Sequence, residues 1–273
     1  MEHLFEERDL IMPKFAANLT MLFNEVPFME RFTVAREAGF SFVEYLSPYD
    51  FKPEDLKSQL QKNGQKQVLF NLPSGDWAKG DRGIGADPKR VKEFRAGVAR
   101  AIEYALALGV TQLNCLAGKK VTGYDDAQHW ATLVENVHFA AAELQKMNLR
   151  LVVEAINHFD IPEFFLNRTD QAMKLIEEVG MPNVFMQYDV YHAQREEGEL
   201  AGTLRKNIAK IGHIQIADNP GRHQPGTGEI NYPFIFNELD VIGYQGYIGL
   251  EYVPSPDSRS SFKWIKEFGL KLA

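Results

Sequence analysis

R-L-V-V-E-A-I-N-H, residues 150–158, is the stretch that decides the fold of this chain. Its apolar residues, which include two adjacent valines, lead directly into Glu154. This pattern is typical of a strand that is buried on both faces and ends at a polar cavity. Because an unpaired buried charge is costly, a carboxylate in that position needs either a partner or a function.

Three later segments share this design. V-F-M-Q-Y-D ends at Asp189, H-I-Q-I-A-D contains Gln215, and Y-I-G-L-E-Y contains Glu251. From Glu154 onward these residues succeed one another at intervals of roughly 26 to 36 residues, and a βα unit of an eight-unit barrel takes about 30 residues. The spacing therefore predicts four polar groups at similar heights on four consecutive strands, at the mouth of a barrel.

The whole chain alternates between strand and helix patterns. The predicted strands cover residues 14–22, 42–46, 67–72, 112–116, 150–154, 184–189, 213–217 and 247–252. The predicted helices cover residues 27–38, 53–63, 88–108, 127–147, 169–179, 199–211, 232–242 and 260–269. This alternation predicts an α/β protein with a single (β/α)8 barrel over residues 13–273, preceded by an extension of residues 1–12. A doubly wound sheet would need a G-x-G-x-x-G loop after its first strand, and A-N-L-T-M-L-F contains none.

Composition narrows the classes of partner. With 273 residues and 45% apolar content, the chain can bury a full core. A net charge of −7 argues against nucleic acid or an anionic membrane as the main partner. The lone Cys115 excludes an internal disulfide and a cysteine-rich zinc site. No apolar run has the length of a membrane span, and the acidic N-terminus does not resemble a secretory signal. We expect a cytoplasmic protein that acts on a small molecule. Barrels of this size often form homo-oligomers, but the sequence identifies no interface.

Glu154, Asp189, Gln215 and Glu251 form an all-oxygen set of candidate metal ligands. Hard divalent cations such as Mg²⁺ or Mn²⁺ prefer such oxygens, and either cation fits the set. His213 shares a strand face with Gln215 and is the alternative to it as a ligand. The simpler interpretation of any one of these acids is a buried carboxylate paired with Arg or Lys.

Further polar residues are expected to line the same mouth. His192 follows Asp189 by three residues, just past the end of the predicted strand, and is a candidate to hydrogen-bond a substrate hydroxyl or carbonyl. Arg222 and His223, in the loop after the seventh strand, are candidates to bind a substrate carboxylate, since arginine suits bidentate recognition. The remaining candidate substrate-binding residues are Glu44, Asn71, His158 and Trp77.

Five long motifs carry a family resemblance. They are F-A-A-N-L-T-M-L-F-N-E (residues 15–25), F-N-L-P-S-G-D-W-A-K-G-D-R-G-I (70–84), V-E-A-I-N-H-F-D-I-P (153–162), Q-Y-D-V-Y-H-A-Q-R (187–195) and the segment that begins H-I-Q-I-A-D-N-P-G-R-H (213–223). With them the chain resembles the hydroxypyruvate isomerases and the similar 2-oxo-tetronate isomerases, which belong to the xylose-isomerase-like barrels. The ketose 3-epimerases are more distant members of that group.

The resemblance implies an isomerase that interconverts hydroxypyruvate and tartronate semialdehyde, with a four-carbon 2-oxo-tetronate as the alternative substrate. It implies that Glu154 and Glu251 are the acid/base pair and also bind the metal, and that Asp189 and Gln215 complete the ligands. Which glutamate is the acid and which the base stays open. The epimerases have a histidine as third ligand where this chain has Gln215. Since the hydrogen moves within the substrate, no nucleotide cofactor is expected. Metal-dependent phosphodiester hydrolysis and simple sugar-acid binding are the rival classes.

Overall fold

The structure is a computed structural model, and it describes residues 13–272. Its strands are β1 (Lys14–Asn18), β2 (Phe42–Glu44), β3 (Lys66–Gln67), β4 (Phe70–Asn71), β5 (Gln112–Cys115), β6 (Arg150–Glu154), β7 (Val184–Asp189), β8 (Ile211–Ile216) and β9 (Tyr247–Leu250). Its α-helices are α1 (Phe28–Glu37), α2 (Pro53–Lys62), α3 (Val91–Leu108), α4 (Asp126–Lys146), α5 (Thr169–Val179), α6 (Val190–Glu196), α7 (Leu200–Asn207), α8 (Tyr232–Val241) and α9 (Lys263–Glu267). The predicted extension of residues 1–12 lies outside the described residues.

All strands of the described range lie in one sheet, in the order β3-β2-β1-β9-β8-β7-β6-β5-β4, and every pairing is parallel. The predicted parallel α/β barrel is therefore confirmed, with one difference. The third strand, predicted as continuous over residues 67–72, consists of β3 and β4. At the break, the side-chain amide of Gln67 donates to the Leu69 carbonyl at 3.4 Å. This carbonyl therefore bonds to a side chain rather than to the backbone of a neighbouring strand.

Val68, at the break, and Asn71 of β4 both hydrogen-bond to the chain segment that contains β2. The Val68 N–H donates to the Val43 carbonyl at 2.9 Å, and the Asn71 N–H donates to the Leu46 carbonyl at 3.0 Å. Since β4 also pairs with β5, these bonds connect the two ends of the strand order. The strands thus close on one another, and their carboxyl ends face one common mouth.

The barrel interior is apolar at the bottom and polar above. Ala16, Val68, Leu69 and Val152 form a buried cluster there, against which Phe42, Phe185 and Tyr247 pack. The larger core lies between the sheet and the helices. Since side chains alternate along a strand, the residues of each strand that point outward pack into this larger core. The inward residues near the carboxyl ends remain free to build a site.

One helix was not predicted, and the boundaries of its neighbour were wrong. Residues 199–211 were predicted as the sixth helix, whereas the structure has α6, α7 and a short 3-10 turn at Ile208–Lys210. Helix α6 begins directly after β7 because the Asp189 carboxylate accepts from the N–H groups of Tyr191 and His192. Gly198 at φ +70° and Glu199 at φ +51° then separate α6 from α7. The residue His192 therefore lies in a helix rather than in a loop.

Within residues 13–272, no helix is both long enough and apolar enough to cross a membrane.

Phe15 packs in a buried aromatic cluster, so truncating its ring is expected to destabilise the barrel. Phe15 is 1% exposed, and its ring lies 5.4 Å from that of Trp264 and 5.7 Å from that of Phe236. We expect Phe15→Ala to lower the free energy of unfolding by about 3–5 kcal/mol, because a large buried ring leaves a cavity. Urea unfolding measures this. Phe234→Ala, at a site 46% exposed on α8, is the control and should cost less than about 0.5 kcal/mol. Equal losses in the two variants would contradict this packing.

Candidate active site

The ends of three strands bring three carboxylates together at the barrel mouth. Glu154 ends β6, Asp189 ends β7, and Glu251 directly follows β9. With His192 of α6 they offer ligand atoms that all lie within 4.8 Å of one another, and all four residues are buried. Three of the predicted metal ligands therefore meet, as the barrel repeat requires.

Asp189 has one oxygen that is fully used and one that is not. Its Oδ1 accepts from the Tyr191 N–H at 2.8 Å and from the His192 N–H at 3.4 Å. Within the described part of the chain, the buried Oδ2 has no hydrogen-bond donor. The nearby cationic or ring nitrogens are His192 Nε2 at 3.5 Å and Arg222 Nη2 at 3.7 Å. A buried carboxylate oxygen without a donor, among other carboxylates, suits a bound cation.

Amides hold the two glutamates. Asn114 Nδ2 donates to Glu154 Oε2 at 2.8 Å. Glu251 Oε1 accepts from Asn18 Nδ2 at 3.1 Å and from Gln215 Nε2 at 3.3 Å, while Arg222 Nη2 lies 2.5 Å from Glu251 Oε2. Each glutamate thus has a defined orientation before any ligand binds.

Burial and mutual repulsion favour the protonated form of these acids. Burial, then the charges of Glu251 and Asp189, raise the pKa of Glu154 well above its ordinary value. Burial raises the pKa of Asp189 as well. Burial also raises the pKa of Glu251 to about 8, although Arg222 opposes the shift. Carboxyl groups with such pKa values can exchange protons near neutral pH.

His192 is held as a neutral ring with a defined tautomer. Burial, followed by the charges of Arg222 and Arg195, lowers its pKa well below the ordinary value. The Asn157 Oδ1 accepts from the Asp160 N–H at 2.8 Å, so the Asn157 amide nitrogen is the atom that faces His192 Nδ1, at 2.6 Å. Because Nδ1 accepts, Nε2 carries the proton and is directed into the cluster.

Arg222 is the cation of the cluster. Besides Glu251, it faces Asp160 at 3.9 Å and lies over the Tyr191 ring at 5.2 Å. Its residue adopts φ +57°, and its carbonyl accepts from the Val253 N–H at 2.7 Å. Backbone and side chain are therefore both fixed, with the guanidinium beside the acids.

Gln215 adjoins the cluster through its nitrogen. Its Oε1 accepts from Gln187 Nε2 at 2.6 Å, and its Nε2 donates to Glu44 Oε1 at 2.7 Å as well as to Glu251. His213, the alternative ligand, donates from Nε2 to Glu44 Oε2 at 2.7 Å. Glu44 itself is 1% exposed and lies among these groups inside the barrel.

Four other predicted substrate-binding residues lie elsewhere. Asn71 is buried at the end of β4, and within residues 13–272 its Oδ1 has no partner. His158 pairs through Nδ1 with Glu196 at 2.7 Å, and His223 Nδ1 contacts the Val253 carbonyl at 2.8 Å. Trp77 is 44% exposed under the Arg82 guanidinium and lines a rim cavity of about 770 Å³. None of these four belongs to the acidic cluster.

Sequence reasoning missed three residues that position the site: Asn18 and Asn114, which hold the glutamates, and Asn157, which contacts His192. Two of them carried a usable signal. Asn18 ends K-F-A-A-N, and Asn114 alternates with apolar residues in Q-L-N-C, so each is a polar residue on an inward strand position. Asn157 lies in the opening motif itself, but its contact with His192 depends on a helix that was not predicted.

The comparisons with known proteins agree with this geometry. The sequence profile described as a xylose isomerase-like TIM barrel matches residues 32–268. The chain belongs to this family. In the hydroxypyruvate isomerase of Escherichia coli K12, 50% of 257 aligned residues are identical, covering 94% of this chain and 100% of that protein. The 2-oxo-tetronate isomerase of Cupriavidus necator is 43% identical over 94% of this chain and 99% of that protein.

A solved structure is similar over the same range. The crystal structure of a protein described as AP endonuclease, family 2, from Brucella melitensis matches with a TM-score of 0.91. It is 42% identical and covers 94% of this chain and 99% of that chain. The family barrel thus extends over almost the whole described range.

The raised pKa of Glu251 predicts a pH-dependent stability of the metal-free protein. A carboxyl whose pKa rises from 4.5 to about 8 on folding binds its proton more tightly in the folded state. Stability is therefore greatest below the unfolded pKa and is lost as the pH rises through the folded pKa, by about 1.4 kcal/mol per unit at most. We expect unfolding free energies in chelator to fall between pH 5.5 and 8. Glu251→Gln should flatten this slope; an unchanged slope would exclude Glu251 as its source.

Proposed function

We propose that this protein is an aldose–ketose isomerase that interconverts hydroxypyruvate and tartronate semialdehyde, with a 2-oxo-tetronate as the alternative substrate. The observation that carries the proposal is the pair of buried glutamates, Glu154 and Glu251, whose raised pKa values suit proton transfer. The relative named hydroxypyruvate isomerase, 50% identical over 94% of this chain, supports the first substrate. The relatives named 2-oxo-tetronate isomerase support the alternative.

The donor set fits a divalent cation, Mg²⁺ or Mn²⁺. Glu154, Asp189 and Glu251 supply carboxylate oxygens, and the donor-free Oδ2 of Asp189 supports cation binding at this point. In the structure Gln215 directs its Nε2, and not its Oε1, towards Glu251, so the three carboxylates carry the proposed cation site and Gln215 as a fourth ligand stays a prediction from sequence. When bound, the cation supplies Lewis-acid polarisation of the substrate carbonyl and charge stabilisation of an enediolate.

The two glutamates move the proton between neighbouring carbons of the substrate. One carboxylate removes it from the first carbon, and the other carboxyl returns a proton to the second. Glu251 has its Oε1 held by Asn18 and Gln215 and its Oε2 held by Arg222, so the whole carboxylate is oriented.

His192 donates to a substrate oxygen. Its Nε2–H points into the cluster because Asn157 occupies Nδ1, and its low pKa keeps the ring neutral. A neutral histidine can hydrogen-bond to a substrate oxygen while a proton moves between the two oxygens, and it adds no positive charge beside the cation.

Arg222 binds the substrate carboxylate. It is the guanidinium of the cluster, and its planar fork suits a bidentate contact. Its position favours an acid over a neutral sugar, which fits a short hydroxy-keto acid as substrate. His223, Asn71, His158 and Trp77 remain predictions as substrate contacts. We also propose that the protein works in the cytoplasm, where the buried thiol of Cys115 stays reduced.

Turnover tests the proposal directly. With Mg²⁺ or Mn²⁺, the purified protein should convert hydroxypyruvate into tartronate semialdehyde and exchange the substrate C–H with deuterated solvent. Glu154→Gln should lower kcat by about 10²–10⁴-fold, since a positioned acid or base contributes that much. Glu238→Gln, at a buried glutamate paired with Arg205 outside the site, is the control. Binding without exchange would leave a sugar-acid-binding barrel; wild-type kcat in Glu154→Gln would remove Glu154 from the mechanism.

Arg222→Ala should weaken the binding of substrates that carry a carboxylate. We expect KM for hydroxypyruvate to rise about 10–100-fold, because a charge-assisted hydrogen bond contributes about 1.5–3 kcal/mol. Dihydroxyacetone has the same carbon chain without the carboxylate, so its inhibition constant should change little. Arg222→Lys keeps the positive charge but loses the bidentate geometry of the guanidinium. Its KM for hydroxypyruvate should lie between those of the wild-type protein and Arg222→Ala. Parallel losses for both compounds would contradict a carboxylate contact.

A further inference from the structure

A second buried carboxylate layer lies directly beneath the acidic cluster. Glu44, at the end of β2, accepts three hydrogen bonds inside the barrel. His213 Nε2 donates to its Oε2 at 2.7 Å, while Gln215 Nε2 and Asn18 Nδ2 donate to its Oε1 at 2.7 and 3.1 Å. Both oxygens are thus engaged, and the residue is 1% exposed.

The same two amides that bind Glu44 also bind Glu251. Asn18 Nδ2 lies 3.1 Å from an oxygen of each glutamate. Gln215 Nε2 lies 2.7 Å from Glu44 and 3.3 Å from Glu251. An amide NH₂ has two hydrogens, so each amide can give one to each glutamate and form a bridge between them.

Neighbouring groups fix the orientation of these bridges. Gln187 Nε2 donates to Gln215 Oε1 at 2.6 Å, which turns the Gln215 nitrogen towards the glutamates. Asn18 Oδ1 accepts from the Thr20 N–H at 3.0 Å, which turns the Asn18 nitrogen the same way. The orientation of Glu251 therefore depends on Glu44 being in place.

The barrel wall makes room for Glu44 at one residue. A Cβ on Gly249 would lie 2.2 Å from Glu44 Oε1, and the three nearest atoms all belong to the Glu44 carboxylate. Gly249 does not adopt the left-handed conformation that favours glycine, so its backbone tolerates alanine. The space above Gly249 is the reason for a glycine here.

We propose that Glu44 is a positioning residue for Glu251, acting through the Asn18 and Gln215 bridges rather than by contact with substrate. The proposal rests on the proposed isomerase function, in which Glu251 binds the cation and moves a proton. It replaces the prediction from sequence that Glu44 binds substrate. Displacing Glu44 removes the acceptor that fixes both amides, so Glu251 Oε1 loses its two fixed donors while Arg222 and the charge of the site are unchanged.

Gly249→Ala tests this because it moves the Glu44 carboxylate without removing it. We expect Mn²⁺ affinity, measured by calorimetry, to fall about 10–100-fold, the usual loss when an outer hydrogen-bond partner of a metal ligand is disturbed. We expect a similar fall in kcat, with KM for hydroxypyruvate changed less than about threefold, since Arg222 binds the carboxylate. Thermal unfolding without metal reports whether the barrel stays folded.

A double-mutant cycle identifies Glu44 as the route. In Glu44→Ala the atoms that would meet the new methyl group are gone, so adding Gly249→Ala should cause no further loss of Mn²⁺ affinity. Glu44→Gln covers the case in which Glu44→Ala fails to fold; it keeps one oxygen that accepts from Asn18 and Gln215, so it should lose less Mn²⁺ affinity than Gly249→Ala. Glu238→Gln should leave Mn²⁺ affinity unchanged.

Independent losses in the cycle, or wild-type Mn²⁺ affinity and kcat in Gly249→Ala, would overturn the positioning role. The calorimetric result also separates it from the proposed activity. Wild-type protein that binds Mn²⁺ without turnover overturns the isomerase function alone. Wild-type protein that binds no Mn²⁺ overturns the cation site and the positioning role together.

Discussion

The mutual repulsion of Glu154, Asp189 and Glu251 is the constraint on which the barrel mouth depends. Three carboxylates within reach of one ion cannot all be ionised in a buried site without opposite charge or donors. In the structure the repulsion is reduced by the Arg222 guanidinium, by amide donors and by the raised pKa values of the acids, which favour their protonated forms. These same features favour cation binding and proton transfer. The electrostatic cost of the cluster and its proposed chemistry therefore have one origin.

The barrel and its acids were predictable because both follow from short-range rules. A buried strand reads as an apolar run, and the carboxyl ends of parallel strands meet at one edge, so Glu154, Asp189 and Glu251 could be brought together from their spacing alone. Helix α6 could not, since it begins inside D-V-Y-H through a cap made by Asp189 itself. Asp189 is both the last residue of a strand and the N-cap of the next helix. The pattern of apolar residues shows the end of the strand but not the start of the helix.

The partners of the acids were less accessible for a different reason. Asn18 and Glu251 are separated by 233 residues and Glu44 and His213 by 169, so these contacts depend on closure of the barrel. The loops raise the same difficulty. Trp77 and His158 were expected at the mouth because their loops follow strands, but loop length and turn geometry decide where such side chains lie. Strand position predicts height in a barrel well and lateral position in a loop poorly.

The two glutamates that look equivalent in sequence are not equivalent in the fold. Glu154 has one amide partner, Asn114, on the adjacent strand β5. Glu251 has two amide bridges to a second carboxylate below it and a guanidinium beside it. A carboxylate with more fixed partners loses less entropy on binding and responds more to changes in the layer beneath. If one glutamate acts as the acid and the other as the base, the difference arises from these unequal surroundings. The repeating pattern of apolar residues in the sequence does not encode them.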